Sequence, residues 1–98
     1  MSEVSERYDA LRASIPRVTA PNILVMTSGI SRFSPEDVGA ILEKVKAFTS
    51  FSEGNDPWDE HDFGKFEFGG EDVMWKIDNY NGQDGYDLVL TVMLAEEY

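Results

Sequence analysis

The stretch Lys65-Phe66-Glu67-Phe68-Gly69-Gly70-Glu71-Asp72-Val73-Met74-Trp75-Lys76-Ile77-Asp78 decides the fold, because polar and apolar side chains alternate on both sides of a glycine pair. Alternation places successive side chains on opposite faces of a strand, so the segment predicts a hairpin with one apolar face. A four-residue turn, Gly69 to Asp72, sets Phe68 against Val73 and Phe66 against Trp75. A two-residue turn sets Phe68 against Glu71 and Glu67 against Asp72, so apolar pairing favours the longer turn. After a polar turn from Asn79 to Gly85, Leu88 to Leu94 is apolar on both faces, as expected of a central strand running to the C-terminus.

Upstream, Ser34-Pro35-Glu36-Asp37 combines a hydroxyl cap, a proline at the first helical position and acids at the positive end of the dipole. Val38, Ile41, Leu42, Val45 and Phe48 then recur at helical spacing, with Lys44 and Lys46 near the helix end. Val4, Tyr8, Leu11 and Ile15 define an earlier amphipathic helix that stops before Pro16. Between the two, Ile23 to Thr27 reads as a short strand covered on both faces and broken by Gly29. Residues 50–62 have no period and form a long loop, anchored by Trp58 and Phe63. The order α-β-α-β-β-β predicts an α+β two-layer sandwich in one domain spanning 1–98. Two helices pack on a mostly antiparallel four-stranded sheet, whose second face is open and more polar.

Composition bounds what such a domain can do. The chain has 98 residues, 42% of them apolar, and no cysteine. One core, no disulfide or thiolate zinc site and no cysteine nucleophile follow, and the composition fits a reducing compartment. The longest apolar runs are four residues, Ile23–Met26 and Val92–Ala95, against roughly 20 needed to span a bilayer. With no secretory signature at the start, a soluble cytoplasmic protein is expected.

The net charge of −11 is unevenly placed. Residues 1–52 hold six acids and six bases; residues 53–98 hold thirteen acids against Lys65 and Lys76. A one-signed field repels nucleic acid and membrane surfaces and steers cationic partners toward it. Alternate residues on a strand lie about 6.5–7 Å apart, near the phosphate spacing of a nucleic-acid strand, so carboxylates on an open sheet face can imitate its backbone. The candidate contact residues are Glu53, Asp56, Asp59, Glu60, Asp62, Glu67, Glu71, Asp72, Asp78, Asp84 and Asp87. The expected partner is a basic nucleic-acid-binding protein or complex, and no cofactor is expected.

Glu60, His61 and Asp62 admit another reading, a small metal-dependent hydrolase or binding protein. Calcium-loop spacing fails from Asp56 and from Asp59, and a single histidine leaves carboxylates to complete a zinc or iron site. Local hydrogen bonding of His61 is the simpler expectation, and no metal is assigned. Gly69-Gly70 lacks the strand-loop-helix setting of a phosphate loop. Phe66, Phe68 and Trp75 lack the basic residues of a base-stacking platform, so core packing is expected of them.

Three blocks, Asn55-Asp56-Pro57-Trp58-Asp59-Glu60-His61-Asp62-Phe63-Gly64, Trp75-Lys76-Ile77-Asp78-Asn79-Tyr80 and Leu90-Thr91-Val92-Met93-Leu94-Ala95-Glu96-Glu97-Tyr98, resemble those of the small bacterial proteins grouped as domain of unknown function 3768. This chain departs in the short spacer Asn81 to Gly85, where a longer insertion is expected in relatives. The resemblance transfers no catalytic residue. It implies a plasmid or phage setting beside antirestriction modules, and hence a non-enzymatic inhibitor of a host nucleic-acid-targeting defence complex, of the anti-CRISPR or antirestriction kind. A generic interaction module of a mobile element, acidic for solubility, is the alternative.

Overall fold

A computed structural model describes residues 3–51, 54, 56 and 60–98. Helix α1 (Glu3–Ala13), strand β1 (Ile23–Met26), helices α2 (Ser28–Ser31) and α3 (Pro35–Lys46), and strands β2 (Phe63–Phe68), β3 (Glu71–Asn79) and β4 (Leu88–Leu94) follow in order. The four strands form one mixed sheet ordered β1-β4-β3-β2, with β1 parallel to β4 and the other pairs antiparallel. The protein is an α+β domain, as the sequence pattern predicts, with the one-turn helix α2 added to the expected order.

The core lies between α1, α3 and one sheet face. Ile41 and Val45 of α3 meet Val73, Trp75, Ile77, Leu88, Leu90 and Val92 of the two central strands, and Tyr8 and Leu11 of α1, with Ile15 just after it, close the core. Ser34 caps α3 as expected, its hydroxyl accepting from the Asp37 amide at 3.2 Å. In α1 the inward stripe is Ser5, Tyr8, Leu11 and Arg12, and Val4 is exposed instead of buried. The apolar spacing of α1 fits two neighbouring stripes, and the need of α3 for Arg12, described below, selects the second.

β1 departs from expectation. It is an edge strand whose Val25 and Met26 are exposed, because only β4 pairs with it and α2 begins directly after it. Gly29 sits inside α2 and does not interrupt the chain there.

The hairpin turn is also corrected. It has two residues, with Phe68 opposite Glu71, Glu67 opposite Asp72 and Phe66 opposite Val73. Gly69 and Gly70 both have positive φ, 58° and 84°, the backbone that a tight primed turn requires and only glycine adopts cheaply. Two facts outweigh apolar pairing. The like-charged Glu67 and Asp72 meet on the outer face, where Lys65 Nζ lies 3.8 Å from Asp72. The shift in register also sets Gly64 opposite Trp75, and the fully buried indole occupies the space a side chain would take.

A Cβ at position 64 would stand 2.6 Å from Trp75 Cε2. Gly64→Ala should therefore destabilise the domain by about 1–3 kcal/mol through overpacking, and Gly64→Val by more. Urea denaturation followed by tryptophan fluorescence checks this; unchanged midpoints would mean the indole has room to move.

Candidate partner-binding surface

The predicted contact residues fall into groups that the sequence order hides. At the hairpin end of the sheet, Glu67, Glu71 and Asp72 gather with Glu96 of the 3-10 turn Ala95–Glu97. A recess of about 370 Å³ opens beside them, lined by Arg32, Phe33, Glu71, Leu94 and Glu96. At the other end of β3, roughly 27 Å away at strand rise, lie Asp78, Asp84 and Asp87, with Glu60 and Asp62 near the Tyr8 hydroxyl. Burial pushes that hydroxyl's pKa up, and the charges of Glu60 and Asp62 push it further.

Several of these acids carry a compensating cation. Arg7 Nη2 meets Asp87 at 2.7 Å, Lys76 meets Asp78 at 3.0 Å, and Lys65 lies near Asp72. Among the described residues, Glu67, Glu71, Asp84 and Glu96 have no ion-pair partner and are exposed. Glu53 and Asp59 lie outside the described residues.

Two expectations are overturned here. The outer sheet face is no continuous row of carboxylates: along β3 it presents Asp72, Met74, Lys76 and Asp78, and Met74, opposite Met93, is buried. The acid excess sits at the ends of the sheet instead. Asp56 is not a surface contact, because its buried carboxylate accepts from the amides of Glu60 and His61 at 3.0–3.3 Å. Left-handed backbone at His61, φ 57°, brings those amides together.

Nor do Glu60, His61 and Asp62 form a unit. His61 Nδ1 lies 3.0 Å from both oxygens of Asp9, its Nε2 is 3.5 Å from Asp56, and its ring stacks on Phe51 at 3.9 Å. The expected local bonding is present, from the His61 amide and ring to Asp56, and Asp9 on α1 adds a partner that the sequence does not indicate. Among the described residues no three His, Asp or Glu side chains are grouped to hold a metal ion.

His61 borders a cleft of about 450 Å³ with Asp9, Arg12, Lys46, Phe48 and Phe51. Arg12, nearly inaccessible, donates from Nη1 to the Val45 and Phe48 carbonyls at 3.1 and 2.9 Å, and from Nη2 to Asp9. Its guanidinium lies 4.7 Å over the Trp75 ring and 5.3 Å over Phe51. The guanidinium thereby caps the C-terminal carbonyls of α3 and joins that helix to α1. Sequence reasoning missed Arg12; its only signal is its place four residues after Tyr8, on the inward side of α1.

Glu96 and Glu97 were missed as well. Glu97 accepts from Thr27 Oγ1 at 2.7 Å and from the Leu94 and Gly29 amides at 2.9 and 3.1 Å, clamping the C-terminal turn to α2.

Fold and surface together define a small α+β protein with an acidic excess at each end of its sheet. The chain belongs to the family described as protein of unknown function DUF3768, whose sequence pattern matches residues 26–97. No curated protein and no solved structure matches it. No helix among the described residues is long and apolar enough to cross a membrane.

Removing the Arg12 guanidinium leaves the two carbonyls of the α3 end without their donor and Asp9 with His61 as a remaining partner. Arg12→Ala should cost about 2–4 kcal/mol, and Arg12→Lys should recover only part of it because an ammonium cannot reproduce the fork; urea midpoints of the two variants check this. The Thr27 hydroxyl and the Leu94 amide, with Gly29 behind them, hold the pKa of Glu97 below its ordinary 4.5. The clamp's contribution is therefore present above pH 4.5 and lost as pH falls through the lowered value in the folded state. Glu97→Gln should flatten the wild-type loss of thermal stability below pH 4.5 while lowering stability at neutral pH. Parallel melting curves across that range are the check.

Proposed function

We propose that this protein is a non-enzymatic inhibitor of a nucleic-acid-targeting defence complex, acting in the bacterial cytoplasm by occupying a basic groove that otherwise receives DNA. The observation that carries this reading is the acid excess at both ends of the sheet after internal pairing: Glu67, Glu71 and Glu96 at the hairpin end and Asp84 at the other, all exposed and without ion-pair partners among the described residues. A groove that binds DNA meets phosphates at intervals along a rigid duplex. Two acidic ends on a rigid sheet present separated negative charge in the same manner, and repel nucleic acid itself.

The plasmid or phage setting implied by the family resemblance supports the anti-CRISPR or antirestriction form of this reading. Acidity serving solubility alone predicts a different response to salt, since binding through an apolar patch depends weakly on ionic strength.

The test uses tagged protein as bait in lysates carrying CRISPR or restriction systems, washed at low and high salt. A nucleic-acid-handling complex should be retained at low salt, released at high salt, and inhibited in DNA cleavage by the purified protein. The triple reversal of Glu71, Asp72 and Glu96 to Lys should weaken binding by roughly tenfold or more, with an unchanged circular dichroism spectrum. Undiminished inhibition by the folded triple variant would refute the role of the hairpin end.

A further inference from the structure

β2 forms one free margin of the sheet, and its pairing with β3 dictates which backbone groups point outward. Opposed residues of an antiparallel pair alternate between those exchanging both hydrogen bonds and those exchanging none. The Ile77 amide donates to the Asp62 carbonyl, which makes Asp62 an inward-bonding position. Gly64, Phe66 and Phe68, at alternate steps from it, bond inward as well. Phe63, Lys65 and Glu67 therefore turn their N–H and C=O groups outward, and among the described residues no backbone bond reaches them.

We propose that this edge joins a second copy of the chain about a two-fold axis at Phe66, extending the sheet to eight strands. A ladder forms only where outward residues oppose outward residues, so the axis must pass through a residue of the strand and not between two. With the axis at Lys65, the lysines of the two copies meet; at Glu67, the glutamates meet. With the axis at Phe66, Lys65 of each copy opposes Glu67 of the other, and both pairs are of opposite charge. Opposite charges directly across a ladder support it and like charges disfavour it, while an axis nearer Phe63 shortens the overlap.

The side chains agree with that register. Lys65 and Glu67 are both exposed, on the sheet face turned away from the helices. On the other face Phe66 and Phe68 are half-buried, and Phe66 would meet its counterpart at the axis. The second copy would bring the same row, so the apolar layer left half covered at this margin continues across the junction. Each copy meets the other through the same surface, as a closed two-fold dimer requires.

Sedimentation equilibrium at physiological salt tests this, because the −11 on each copy is then screened beyond about 8 Å. The wild type should be dimeric. Lys65→Glu and Glu67→Lys each create two like-charged pairs and should raise the dissociation constant roughly tenfold or more. The double exchange restores opposite charges and should restore the dimer. Glu67→Pro removes an outward N–H that β3 does not use, so it should give a folded monomer with an unchanged circular dichroism spectrum. A wild-type monomer at ~1 mM overturns the proposal, as does a dimer that survives both single reversals or a double exchange that stays monomeric.

Discussion

The buried guanidinium of Arg12 is the constraint around which the rest of this small domain is arranged. Charge taken out of water is tolerated only when paired and hydrogen-bonded, and the partners of Arg12 come from four parts of the chain. Asp9 is on its own helix, Val45 and Phe48 supply carbonyls from the end of α3, and Trp75 and Phe51 supply ring faces from β3 and the long loop. Meeting those demands fixes the rotation of α1, which explains why Ser5 is buried and Val4 is exposed. It also fixes Asp9, which holds His61, whose ring packs on Phe51. The entry to β2 is thereby set by a helix more than fifty residues earlier.

A second constraint acts from the sheet. Trp75 fills the space between the helices and β2, and the strand opposite it has no side chain at Gly64. Among the described residues, Trp75 Nε1 and Arg12 Nε are the buried side-chain nitrogens without a hydrogen bond, and the cation–π contact joins these two residues. Unsatisfied donors cost free energy, and the attraction of a cation to an indole face offsets part of it.

These constraints explain which parts of the fold were legible in the sequence. Helix α3 was readable because its cap, proline, acidic first turn and apolar spacing all agree, and β4 was readable because its apolar residues on both faces run for seven residues. The hairpin register was not, because pairing Phe with Val and Trp is a local criterion, whereas Gly64 opposite Trp75 depends on what lies above the sheet. β1 was misread because four apolar residues look alike at an edge and at the centre. Among site residues, the alternating strand acids were correctly placed near the surface. Asp56 was misread and the Asp9 partner of His61 was not foreseen, because two nearby amides and a carboxylate 52 residues away leave no trace in spacing.

The same logic applies to the charge. In the sequence the acidic half is separate from the neutral half, yet folding lays α1 beside the acidic strands. Arg7 reaches Asp87, and Arg32 adds to the stabilisation of ionised Glu97. The neutral half thus supplies cations at the points where acids must approach the protein surface to fold. Charge left over after that compensation is no longer spread along a face; it collects where the chain turns, at the hairpin and at the loop between β3 and β4. Turns are where a short backbone repeat can carry acids without packing demands, so Glu71, Glu96 and Asp84 project freely while Asp56 is consumed inside. An acidic composition is thereby converted into two localised negative ends on a rigid sheet. That geometry, more than the total of −11, is what the proposed binding to a basic groove rests on.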